Sequence, residues 1–159
     1  MYLKVIPFAS MLLNILLVNA MNDETSFWSA VTSKKYEDVK SFLQRNSSLV
    51  HSCMMEMYTP IFFAVESKDV TLLNILLSYK SDIYIRRKPT YISAPITPIY
   101  EAVCYDAPEI VKILIAHHKA NGEPEDKSEF GFYGKYTLEM VKAANPTIIG
   151  AFKELKERK

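Results

Sequence analysis

A seven-residue segment occurs twice in this chain. Thr59-Pro60-Ile61-Phe62-Phe63-Ala64-Val65 returns thirty-eight positions later as Thr97-Pro98-Ile99-Tyr100-Glu101-Ala102-Val103. Each copy leads into the same downstream pattern. After Val65 come six residues, then Leu72-Leu73, two more and Leu76-Leu77; after Val103 come six residues, then Ile110-Val111, two more and Leu114-Ile115. Internal repetition at a fixed spacing marks a stacked architecture, in which each unit touches only its neighbours.

One unit reads as a short helix, a turn and a second helix. Thr59 and Thr97 are suited to cap the first helix, their hydroxyls accepting from an early backbone N–H. Pro60 and Pro98 then occupy the first helical position, where a missing N–H leaves nothing unbonded. Ile61, Ala64 and Val65 fall at i, i+3 and i+4, on one face of a helix. The small Ala64 lets a neighbouring helix come close. The first helix is expected to end near Lys68-Asp69 and again near Asp106-Ala107. Val70 to Leu77 and Pro108 to Ile115 form the second helices. Helices this short are marginal alone in water, so stacking must bury the apolar face that each pair leaves open.

The pattern resembles the ankyrin repeat, whose signature runs Thr-Pro-Leu-His-x-Ala-Ala, then Gly-His, then paired aliphatics. Two further copies are weaker. Phe27, Ala30-Val31, Val39 and Phe42-Leu43 keep the spacing upstream; Leu138, Val141, Ile148-Ile149 and Phe152 keep most of it downstream. The resemblance implies an all-α ankyrin-repeat solenoid of about four stacked helix-turn-helix repeats, at approximately 24–53, 54–91, 92–131 and 132–159. The outer two would be degenerate caps. The signature His is replaced by Phe62 and Tyr100, which removes a Thr–His hydrogen bond and gives the turn aromatic packing instead. The signature Gly-His is replaced by Lys68-Asp69 and Asp106-Ala107.

Residues 1–20 stand outside the repeat phase. Lys4 is their single charge, Phe8 to Val18 is apolar apart from Ser10 and Asn14, and Val18-Asn19-Ala20 resembles a cleavage site. This layout reads as a signal peptide followed by a repeat domain at 21–159; the other reading is an apolar helix packed on the first repeat. The apolar run is shorter than the ~20 residues of a membrane-spanning helix, so no stable membrane insertion is expected after cleavage. Lys4 is also the whole formal excess charge of +1. A balanced domain argues against a nucleic-acid binder, which would be distinctly basic. The expected compartment is periplasmic or secreted, and the free protein is expected to be a monomer.

Catalytic constellations are missing from the pattern. His51, His117 and His118 are the only histidines. The last two fall at a helix end, where cationic groups suit the dipole, and adjacent helical residues face apart. Glu123, Glu125, Asp126 and Glu129 lack calcium-loop spacing. Neither an enzyme nor a metal or other cofactor is expected. Cys53 and Cys104 lie in different repeats, too far apart for disulfide geometry, and read as free, largely buried thiols.

What remains is a surface for a protein partner. The resemblance places contacts on the loop tips and the exposed side of the first helices, here including Tyr58, Glu66 and Tyr105. Two lengthened connections add candidates. Arg86, Arg87 and Lys88 followed by Tyr91 read equally as a contact for an acidic surface or as a solvated loop. Phe130, Phe132 and Tyr133 read as interface anchors or as rings tucked against the last repeat. The expected function is a non-catalytic interaction module, an inhibitor or immunity-type protein that occludes a toxin or hydrolase. A secreted effector or scaffold binding a host or envelope protein is the alternative.

Overall fold

Proline starts the helices where the repeated segments place them. In the computed structural model, which describes residues 22–54, 57–87, 96–121, 141 and 144–156, every regular element among the described residues is helical. The N-terminal apolar segment, Lys88, Tyr91, Phe130, Phe132 and Tyr133 lie outside the described residues. Two compact units divide between Leu49 and Val50.

The first unit holds α1, described over 22–32, and α2, Tyr36–Arg45. Phe27, Ala30 and Val31 of α1 are buried, as are Val39 and Leu43 of α2. Phe27 meets Phe42 edge-on with ring centroids 6.2 Å apart, a geometry that aromatic quadrupoles favour. Glu37 and Asp38 sit in the first turn of α2 and Arg45 in its last, each complementing the helix dipole.

The second unit opens with the remainder of a 3₁₀ turn, Ser47–His51. Its helices are α3 (Pro60–Glu66), α4 (Val70–Ser78), α5 (Pro98–Cys104), α6 (Pro108–Ala120) and α7 (Pro146–Lys156). Packing follows a regular rule: α3 lies on α4 and α5 on α6 within each pair, α3 lies on α5 and α4 on α6 between pairs, and α7 packs on α6. Ile61, Ala64, Leu72, Leu76, Ile99, Ala102 and Leu114 are fully sealed from solvent. Ala64 and Ala102, matched between copies, are both fully buried.

The turns close by one repeated device. Lys68 takes φ 52° and Asp106 φ 51°. Lys68 N donates to Val65 O at 3.0 Å and Asp69 N to Ala64 O at 2.8 Å; Asp106 N donates to Val103 O at 3.1 Å and Ala107 N to Ala102 O at 3.0 Å. This paired bonding satisfies the last carbonyls of the helix and needs a left-handed residue. Lys34 of the first unit, φ 55°, closes α1 in the same way through Val31 O and Ala30 O. The first helices therefore end two residues before the turn residues expected from the sequence, because Lys68 and Asp106 are the residues that leave the helix.

Capping departs from expectation at one copy. Thr97 accepts from Tyr100 N at 3.4 Å, whereas the buried Thr59 hydroxyl makes no hydrogen bond among the described residues. Asp69 does cap α4, accepting from Leu72 N at 2.9 Å. Cys53 and Cys104 are free but exposed rather than buried. Cys104 follows the phase of Glu66, which also faces solvent. His118 is buried, its Nδ1 2.8 Å from the Tyr84 hydroxyl, so it is not a surface residue.

Candidate partner-binding face

Glu66 is the last residue of α3, and two tyrosines reach it from different directions. Tyr58 lies just before Thr59, in a loop closed by Met54 N donating to Tyr58 O at 2.9 Å. Its phenol donates to Glu66 Oε2. Tyr105, the residue that ends α5, donates to Glu66 Oε1 at 3.1 Å. One exposed carboxylate thus joins the segment before α3, the end of α3 and the end of α5. Burial, and then the hydrogen bond to Glu66, push the Tyr58 phenol far above its usual range. It stays a neutral donor at any ordinary pH.

Arg87 forms the floor beneath this face. Arg87 and Ile96 make an isolated antiparallel bridge, with N–H···O distances of 3.0 and 2.8 Å. The bridge holds the arginine so that its guanidinium lies 4.9 Å from the Tyr58 ring centroid and 5.1 Å from that of Phe62. The same guanidinium grips Glu101: Nη2 donates to Oε1, and Nε lies 3.3 Å from Oε2. Glu101 is only 2% exposed. Desolvation raises its pKa, Arg87 pulls it back, and the charge of Glu66 raises it. The Tyr58 and Phe62 rings stack with centroids 6.3 Å apart.

Of the residues expected from the sequence to meet a partner, the structure brings together Tyr58, Glu66 and Tyr105. Arg86 is exposed, but Arg87 faces inward to Glu101, so the basic run does not act as a single solvated cluster. Sequence reasoning missed Glu101. The available signal was its alignment with Phe63: an acid where the other copy holds an aromatic requires either exposure or a buried partner. Met54 and Met57 were missed as well. Each is 53% exposed, and with Tyr105 at 37% they are the large exposed apolar side chains among the described residues.

Two ties run between matched turns beside the face. Lys68 Nζ donates to Asp106 O at 3.1 Å, and Asn145 Nδ2 donates to Asp106 Oδ1. Cys104 sits next to Tyr105, and partial desolvation of its otherwise exposed thiol raises the pKa despite a lowering hydrogen bond with Tyr100. A neutral thiol is a weak nucleophile. A separate cleft of about 320 Å³ is lined by Lys80, Asp82, Tyr84, His117 and Asn121 among others. Among the described residues no cluster of three His, Cys, Asp or Glu could hold a metal ion, and no helix is long and apolar enough to cross a membrane.

No family model matches the sequence, and no curated protein matches it.

Proposed function

We propose that the chain is an ankyrin-type repeat protein that binds another protein through the Tyr58–Glu66–Tyr105 face. In this reading it acts outside the cytoplasm as an inhibitor or immunity factor, covering the active site of a toxin or hydrolase. One observation carries the interaction: among the described residues the large exposed apolar side chains, Met54, Met57 and Tyr105, all belong to this face or to the segment leading into Tyr58. Tyrosine and methionine are enriched where proteins meet. The solenoid part is supported by the pairing of α3 with α4 and α5 with α6, and by the matched left-handed residues Lys68 and Asp106. Placement outside the cytoplasm rests on the apolar N-terminal segment. The mechanism is steric, and affinity comes from desolvated aromatic anchors with charge complementarity at the rim.

The test is capture of a partner from the extracytoplasmic fraction of the producing cell. The expected result is a stoichiometric complex with a hydrolase whose activity falls on binding. Tyr105→Ala should abolish capture, and Lys112→Ala, on exposed α6 surface, should leave it intact. Capture that survives Tyr105→Ala combined with Met57→Ser overturns this choice of face.

A further inference from the structure

The floor and the rim of the face contain the same chemistry, but only the floor is complete. In the floor, Glu101 pairs with Arg87, and the guanidinium lies against the rings of Tyr58 and Phe62. In the rim, Glu66 stands between Tyr58 and Tyr105, and no cation pairs with it among the described residues. An ionised carboxylate has about four lone-pair positions, of which the two phenols take one on each oxygen. Among the described residues the network holds two carboxylates, Glu66 and Glu101, and one guanidinium, Arg87. Since Arg87 is committed to Glu101, no described cation balances the negative charge of Glu66, which adds to the upward shifts of Glu101 and Tyr58.

We infer that Glu66, held by Tyr58 and Tyr105, is the receptor for an arginine side chain of the partner protein. The inference rests on the interaction reading above and names the chemistry of its partner. A guanidinium fits better than an ammonium for two physical reasons. Its planar fork matches a carboxylate whose oxygens are already oriented, and it stacks on aromatic faces. Both features are present: two repeats fix the carboxylate, and Tyr105 presents an exposed ring beside it. Pre-organisation matters here, because an exposed ion pair is otherwise worth little. The two phenols fix the carboxylate before the partner arrives, and the Tyr105 ring beside it offers apolar surface that excludes water once it has arrived.

The test is an NMR titration of the isotope-labelled full chain with acetyl-Gly-Arg-Gly-amide at low salt. The matching citrulline peptide serves as the uncharged isostere and the lysine peptide as the ammonium control. Saturable shifts are expected at the Glu66 carboxyl and at the Tyr58 and Tyr105 rings. Binding should weaken about tenfold with citrulline, less with lysine, and about tenfold in Glu66→Gln. Tyr105→Phe, which keeps the ring and removes one orienting donor, should weaken it less than Glu66→Gln. Equal response to citrulline overturns the inference, as does unchanged binding by Glu66→Gln or shifts confined to other surface carboxylates. An arginine peptide that leaves these signals unmoved also overturns it. Capture by Tyr105→Ala tests the interaction reading separately, so the two can fail independently.

Discussion

Arg87 and Glu101 form a buried ion pair, with Nε 3.3 Å from Oε2, although fourteen residues separate them and one sits in an irregular connection. Breaking such a pair leaves an uncompensated charge, typically at a cost of about 3–5 kcal/mol, whereas an apolar replacement of both partners is often neutral. Arg87→Met should therefore be strongly destabilising, and Arg87→Met with Glu101→Leu should recover most of the loss in urea denaturation. The pH dependence has a definite sign. The folded-state pKa of Glu101 is raised, so its contribution is fully present below the ordinary carboxylate range and is lost as pH rises through the folded value. Without Arg87 the pKa rises further. The Arg87→Met deficit should thus be smaller at pH 4 than at pH 7.

Leu76 and Leu114 occupy matched positions on α4 and α6 and are fully buried. Truncating either to Ala removes packed methyl groups and leaves a cavity, which costs about 2–5 kcal/mol. Denaturation midpoints should fall for both variants by similar amounts. Losses near zero would contradict the matched register.

The two threonines should behave differently despite their identical sequence context. The Thr97 hydroxyl accepts a cap bond from Tyr100 N, and the Thr59 hydroxyl accepts none among the described residues. Thr97→Val should cost about 1 kcal/mol. Thr59→Val, which removes an unpaired buried hydroxyl, should be neutral or stabilising when followed by thermal unfolding.

Lys68 holds φ 52°, a region that costs a side chain roughly 1 kcal/mol and glycine almost nothing. Lys68→Gly should raise stability by several tenths of a kcal/mol, net of its exposed hydrogen bond to Asp106. A lowered midpoint would mean that the Lys68–Asp106 tie outweighs backbone strain.

The helix pairs were legible because Thr-Pro, the paired aliphatics and Ala64 or Ala102 are local signals that tertiary packing reinforces. The helix ends were less so. A glycine would have announced the left-handed turn residue, and lysine at position 68 conceals it, since only the surrounding paired hydrogen bonds enforce the conformation. Tyr58, Glu66 and Tyr105 were legible as an exposed set through the phase of the repeat. Their convergence on one carboxylate was not, because it depends on how closely α5 lies against α3. In the sequence Arg87 belongs to a cationic run, and only the bridge to Ile96 and the acid at position 101 turn it inward.

The proposed binding of a protein partner at the Glu66 face is tested by the calorimetric affinity of the purified partner for the wild-type chain and for Tyr105→Ala. A central aromatic anchor carries about 2 kcal/mol or more, so the variant should bind at least ~30-fold more weakly while melting at nearly the same temperature. Equal affinity of the two proteins would contradict the account.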